Sequence, residues 1–280
     1  MNETVRNVPV GFGPQITPLL VIGPWDHHRV TLVFLAALVP ALGVSLYGHV
    51  TDLFPVFALS TVAALAWSWV FARLRRRPLG WDWPVTALTV AILMPATVPL
   101  WQQAMALSFG IVMGEQIFGG RGRNFLHPTV LALAFLMFSF PGEIQAAAGQ
   151  PLAIAAGIGG LLLLVVRLVS WRVLAGIAIG VTASLMIAGE GGTWDRLATG
   201  PLIFAGVFLI ADPVASASTN AGRSVYGFLA GMLVVVFGQA GGDPGSLRAV
   251  IFAALLAAIF APLIDQAVIW LNVRRRRRRG

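Results

Sequence analysis

The chain has 280 residues, of which 58% are apolar and only 11% charged. A soluble chain of this length cannot hide so much apolar surface, so the bilayer is the expected solvent for most of it. There is no cysteine, which excludes disulfides, cysteine-ligated iron–sulfur clusters and cysteine zinc sites within the chain, and the formal net charge is +8. Every basic residue is an arginine, and the arginines fall in short runs at the ends of apolar segments. That placement reads as membrane topology and not as a nucleic-acid surface.

In chain order, Met1 to Arg29 is mixed and proline-containing and lacks the order of a cleavable signal peptide. Ten spans follow, at about 30–48, 54–72, 83–100, 102–118, 127–140, 151–168, 172–188, 199–211, 222–238 and 247–271. Several fall short of the roughly 20 residues that a full crossing needs, 127–140 and 199–211 most of all. Short, proline-punctuated segments of this kind predict broken or re-entrant helices shielded by their neighbours. The expected organisation is a cytoplasmic segment 1–29, a first five-helix repeat 30–140, an external loop 141–150, a second repeat 151–273 and an arginine tail 274–280.

Orientation follows from the arginines. With both termini cytoplasmic, all but Arg196 and Arg248 lie inside, from Arg6 and Arg29 through Arg73, Arg75, Arg76, Arg77, Arg121, Arg123, Arg167, Arg172 and Arg223 to the tail. The outside loops then hold Asp52, Glu143, Glu190, Asp195 and Asp243. This is the positive-inside bias, and the tail also attracts anionic lipid in the bilayer. Trp81, Trp83, Trp101, Trp171, Trp194 and Trp270 sit at span ends as interface anchors.

The two halves share an order of features. In the first, a helix runs into Met94-Pro95-Ala96-Thr97, a second helix follows, then Gly119-Gly120 and a helix started by Pro128. In the second, a helix runs into Ala211-Asp212-Pro213-Val214, a second follows, then Gly241-Gly242, Asp243-Pro244 and the last helix. Five spans per half is an odd number, so the copies are expected to be inverted about an axis in the membrane plane, with a site where they meet.

Two stretches are dense in polar and glycine detail: Gly119-Gly120-Arg121-Gly122-Arg123-Asn124-Phe125-Leu126-His127-Pro128 and Ala211-Asp212 through Gly222-Arg223. The glycine pair allows close backbone approach, and Ser216-Ala217-Ser218-Thr219-Asn220 offers hydroxyl and amide groups beside a helix break. Glu115, Asp212 and Asp265 fall near span ends. They read either as an ion or proton path, or as end charges paired with Arg121, Arg123 or Arg223, and their positions favour the pairing. His49 and His127 belong to opposite membrane faces and His27 and His28 precede the membrane, so no bis-histidine haem site is expected.

At these motifs the sequence resembles the membrane family that includes the D subunit of the Rnf complex and the B subunit of the sodium-pumping NADH:quinone reductase. The likeness rests on the glycine-pair segment, on Ala211 to Ser216 with Asn220-Ala221-Gly222-Arg223 and Tyr226-Gly227, and on Phe260-Ala261-Pro262-Leu263-Ile264-Asp265. It runs over roughly residues 20–272. It implies an all-α integral membrane fold of ten helices in two inverted five-helix repeats, akin to urea transporters. It also implies a subunit of an electron-transport complex that couples redox chemistry to ion translocation, not catalytic alone, in the bacterial inner membrane among other membrane and peripheral subunits. A flavin, FMN or riboflavin, or a quinone is the implied cofactor. The candidate cofactor-binding residues at these motifs are Gly119, Gly120, Asn124, His127, Asp212, Ser216, Asn220 and Arg223; Glu115 and Asp265 are the candidate ion-path residues read from the span-end charges above. In quinone-reducing relatives the glycine pair lies by the quinone site.

The chain departs from the family where FMN is attached. Relatives form a phosphoester to the Thr of a Ser-Gly-Ala-Thr type motif before Pro-Leu-Ala. Here Pro151-Leu152-Ala153 follows Ala147-Ala148-Gly149-Gln150, and none of those four residues has a hydroxyl. Covalent FMN is therefore not expected at Gln150, and a non-covalent flavin or a quinone is. The rival reading is a small-solute channel or transporter of urea-transporter-like fold.

Overall fold

The computed structural model describes residues 27–47, 50–142, 149–189, 199–241 and 245–277. Its order is α1 (His27–Leu46), α2 (Val50–Leu74), α3 (Trp83–Leu93), α4 (Leu100–Ile111), α5 (Pro128–Ser139), α6 (Gln150–Val165), α7 (Trp171–Ile187), α8 (Gly200–Ala205), α9 (Asn220–Gly241) and α10 (Leu247–Arg277). α4 and α8 each continue into a π-helical turn, Val112–Gln116 and Gly206–Ile210. No strand occurs among the described residues. The chain is an all-α integral membrane protein. His28–Leu46, Leu53–Leu74, Asn220–Gly241 and Leu247–Arg277 are long and apolar enough to cross a bilayer.

Proline sets several of the starts. Pro84, Pro128, Pro151 and Pro201 each occupy the first turn of a helix, where an amide hydrogen would find no partner anyway. Apolar continuity predicts one helix from 83 to 100; the structure ends it at Leu93. Met94, held extended (ψ 123°) ahead of Pro95, cannot continue the helix. At the other end, the arginine tail is not separate from the last span: α10 runs on to Arg277. Arginine is a good helix former, and cations suit a helix C-terminus. His27 and His28, expected before the membrane helix, open α1 instead. Gln150, expected at the end of the external loop, begins α6.

The short helices are the interior. In α3 every residue from Val85 to Leu93 except Leu88 is buried, and in α8 and its π turn every residue except Ile203 is. α3 packs against α1, α2 and α5, and α8 packs against α6 and α10. α1 meets α6 and α5 meets α10. Broken helices are tolerated at membrane depth only when protein shields them, which is the arrangement here. Large apolar side chains such as Phe138, Leu161 and Ile187 face outward toward lipid.

Several helix pairs approach through glycine, α7–α9 and α4–α5 among them. Gly176 and Gly180 of α7 face Gly227 and Gly231 of α9. A Cβ on Gly176 would lie 2.7 Å from the Ser224 carbonyl oxygen, and one on Gly180 would overlap the Phe228 carbonyl. Gly110 of α4 and Gly114 of its π turn likewise admit Pro128 and Ala132 of α5. Lipid tails are as apolar as leucine, so such close backbone packing replaces the hydrophobic drive between helices.

Candidate functional site

The first half of the site hangs on the π turn at the end of α4. It puts Glu115 inside the protein, 3% exposed, where the carboxylate accepts hydrogen bonds from Thr86 Oγ1 (3.0 Å) and Gln116 Nε2 (3.2 Å). The chain then reverses through Gly119 (φ 116°), Gly120 (φ 97°) and Gly122 (φ 89°). These conformations belong to glycine. Close approach is the reason the sequence suggests for Gly120; the structure gives a different one, because nothing lies within 4 Å of a Cβ built there. The glycines serve the turn itself.

Asn124 ties that turn, accepting the Gly122 amide hydrogen at 3.1 Å and donating to the Leu126 carbonyl at 3.2 Å. His127 caps α5: its Nδ1 accepts the Thr129 amide hydrogen at 3.3 Å. With Nδ1 an acceptor, the neutral ring carries its proton on Nε2. That Nε2 is buried without a hydrogen-bond partner, 3.7 Å from Asp212 Oδ2.

The second half begins where the π turn of α8 ends. Tyr226 of α9 donates its hydroxyl to the Ile210 carbonyl at 3.1 Å, satisfying the broken helix end. Gln103 of α4 donates to the Val98 carbonyl at 2.7 Å, within the loop of the first break. Asp212 is 2% exposed; its Oδ1 accepts the Val214 amide hydrogen at 3.2 Å and its carbonyl accepts that of Ser216 at 3.0 Å. Farther along, Asp265 of α10 accepts four hydrogen bonds, from the amides and hydroxyls of Ser218 and Thr219, at 2.6 to 3.0 Å. Thr219 in turn accepts the Gly222 amide hydrogen, and Arg223 Nε donates to the Ala217 carbonyl.

The pairing of Glu115, Asp212 and Asp265 with arginines is not what the structure shows. Among the described residues no arginine lies within 4 Å of any of the three carboxylates. Hydroxyls and amides hold Glu115 and Asp265, and Asp212 faces His127. The Arg121 guanidinium lies instead over the Phe34 ring at 5.3 Å. Of the residues singled out in the sequence, Glu115, His127 and Asp212 are thus gathered inside. Asp265 and Arg223 pin the second loop, Ser216 is half-buried, and Asn220 is exposed at the start of α9. Gly119 and Gly120 border a cavity of about 260 Å³. Gln150 is exposed at the start of α6, while Ala147 and Ala148 lie outside the described residues, as does His49.

Sequence reasoning missed three threonines. Thr86 and Thr89 of α3 and Thr129 of α5 are at most 1% exposed. Thr89 and Thr129 share a hydrogen bond of 2.7 Å, and the Thr89 hydroxyl also lies 3.1 Å from the Thr86 carbonyl. Together they extend a polar row from Glu115 through Thr86, Thr89 and Thr129 to His127 and Asp212. The signal was present: two hydroxyls one turn apart in an otherwise apolar helix.

A profile of the NQR2, RnfD, RnfE family matches residues 21–147 and 142–273. The chain is 30% identical over 276 residues to the B subunit of the Na(+)-translocating NADH-quinone reductase from Pseudomonas aeruginosa strain LESB58, covering 79% of this chain and 68% of that protein. It is 29% identical over 322 residues to the protein of the same name from Yersinia pestis, covering 93% of this chain and 77% of that one.

Proposed function

The chain belongs to the NQR2, RnfD, RnfE family, and from that premise we propose that it is a membrane subunit of an electron-transport complex in which redox chemistry drives ion translocation. The observation that carries the ion side is the buried row Glu115–Thr86–Thr89–Thr129–His127–Asp212, which runs from the π turn after α4 to the break after α8 through an apolar interior. Ionisable groups at membrane depth are costly and mark ion or proton routes.

The cofactor proposed is a non-covalent flavin, FMN or riboflavin, or a quinone. A phosphoester-linked FMN does not fit the chain at 147–150, since neither Gly149 nor Gln150 nor the alanines before them carry a hydroxyl. The unpartnered, buried Nε2 of His127, beside the glycine-pair segment, supports a non-covalent ligand at these loops. Asn124, Ser216, Asn220 and Arg223 would contribute polar groups. Such a ligand would take up and release electrons; this chain's part is to hold it and to keep water out.

The two halves are proposed to be inverted repeats, residues 30–140 and 151–273. In support, α1 and α6 pack together, as do α5 and α10, the pairings that a pseudo-two-fold axis would produce. A polar side chain of the following helix, Gln103 or Tyr226, donates to a backbone carbonyl at each break. The proposed setting is the bacterial inner membrane with both termini cytoplasmic, beside partner subunits that bring electrons. The test is purification from native membranes through an affinity tag. Co-purifying redox subunits and an extractable flavin or quinone are expected. A solitary colourless protein that moves small solutes in liposomes would sink the proposal. Cysteines placed at positions 2 and 280 should resist an impermeant label in intact cells.

A further inference from the structure

The cavity by the glycine pair has a rim that the redox reading does not use. Its lining includes Arg75 and Arg77 after α2 and Arg121 and Arg123 of the glycine turn, with Phe71 and Trp83 between them. Two carboxylates also reach it, and both are engaged by hydroxyls: Asp82 accepts from Thr31 at 2.9 Å, and Glu115 from Thr86. None of the four guanidiniums has a carboxylate within 4 Å among the described residues. Arg75 lies over the Phe71 ring at 5.1 Å and Arg121 over Phe34, contacts that fix the planar groups and leave their N–H edges unspent.

The turn that delivers two of these arginines is strained. α2 ends with the Arg77 amide bonded to the Ala72 carbonyl and the Arg76 amide to that of Arg73. This closure puts Arg76 at φ 53°. Glycine is the usual residue there, and α7 does end through a glycine, Gly189 at φ 76°. Here an arginine takes the left-handed position, and Arg75 and Arg77 on either side of it line the cavity.

The next segment alternates. Pro78, Gly80 and Asp82 line the cavity, while Leu79 and Trp81 face outward, 38% and 68% exposed. A cationic hollow thus opens beside an outward apolar and aromatic edge, the profile of a membrane interface. We propose that this cavity binds the phosphate of an anionic phospholipid, with Arg75, Arg77, Arg121 and Arg123 as its hydrogen-bond donors and Leu79 and Trp81 against the lipid's glycerol and acyl region. Arginine forks suit phosphate oxygens, and a free phosphate would have no use for the apolar edge. The inference does not rest on the redox reading.

Native mass spectrometry of the delipidated protein tests it, with phosphatidylglycerol, phosphatidylcholine of the same acyl chains, and inorganic phosphate added separately. One phosphatidylglycerol should be retained in preference to phosphatidylcholine. Arg77→Gln and Arg121→Gln should each lower that retention about fivefold, as expected for one cation at an anionic lipid. Arg76→Gly removes the same charge from the same turn but no cavity donor, and should leave retention unchanged. Should Arg121→Gln fail to fold, Arg123→Gln replaces it. Equal retention of the two lipids, an equal loss in Arg76→Gly, or displacement of the lipid by inorganic phosphate would each overturn the proposal.

Discussion

His127 Nε2 and Asp212 Oδ2 stand 3.7 Å apart with both side chains at most 3% exposed, one from the glycine-pair segment and the other from the Asp-Pro break. The gap is too long for a hydrogen bond and too short for any other protein group to intervene. Because Thr129 donates to Nδ1, a neutral ring carries its proton on Nε2, the nitrogen nearer the carboxylate.

Asp212→Asn keeps the shape and removes the charge. Ion transport by the reconstituted complex should fall about tenfold or more, the effect of ~1.4 kcal/mol at one buried charge, while membrane insertion stays normal. His127→Asn, which keeps a polar helix cap, should lower transport in the same direction. Ion uptake into proteoliposomes measures both. Wild-type transport in Asp212→Asn would remove the buried row from the ion route.

Asp265 should matter through the loop it holds. It accepts two amide and two hydroxyl hydrogens from Ser218 and Thr219, and the loop so pinned leads back to Asp212. Asp265→Ala releases all four and should cost about 2 kcal/mol, since bonds to a charged acceptor contribute roughly 1.5 to 3 kcal/mol each when shielded and less at a half-buried site such as this one. Hydrogen–deuterium exchange should quicken over residues 216–222 and remain unchanged in α3. Unchanged exchange at 216–222 would show that α10 does not hold this loop.

The α7–α9 contact gives a stability prediction. Gly180→Val or Gly227→Val would drive a side chain into backbone that cannot rotate away. A loss of about 1–3 kcal/mol is expected, the usual range for overpacking, read as a lowered melting temperature in detergent. Gly157→Ala, with nothing within 4 Å of its Cβ, should be silent.

Most helix positions were legible because proline and glycine punctuate the chain: Pro128, Pro151 and Pro201 mark starts that the structure keeps. The α3–α4 break was signalled by Met94-Pro95-Ala96-Thr97, but its place was not: the span drawn to residue 100 overran the helix, which ends at Leu93. The buried state of Asp212 was also hidden. In one dimension it ends a short span and looks interfacial; in three, α8 is short because it stops inside the protein, and its end is the interior. The threonine row and the facing glycines of α7 and α9 depend on which helices meet, which spacing along one chain does not specify.

The flavin anchor offers the last test. Gly149 precedes α6 and Gln150 begins it, so the position that carries a threonine in the resembling family holds an amide side chain here. A phosphoester needs a hydroxyl. The denatured chain should therefore show no in-gel flavin fluorescence and an intact mass without FMN. The structure narrows the substitutes: Thr129 is fully buried and bonded to Thr89, whereas Ser139 is exposed at the end of α5. An added FMN mass that disappears in Ser139→Ala would locate a new anchor and overturn the non-covalent reading. In the opposite direction, Gln150→Thr with Ala147→Ser should gain one FMN when a flavin transferase is co-expressed, provided that the loop still presents its hydroxyl to the enzyme. Gain of FMN in that variant and a bare wild-type mass together would mean that this chain kept the family scaffold and lost the bond through substitutions in the attachment segment.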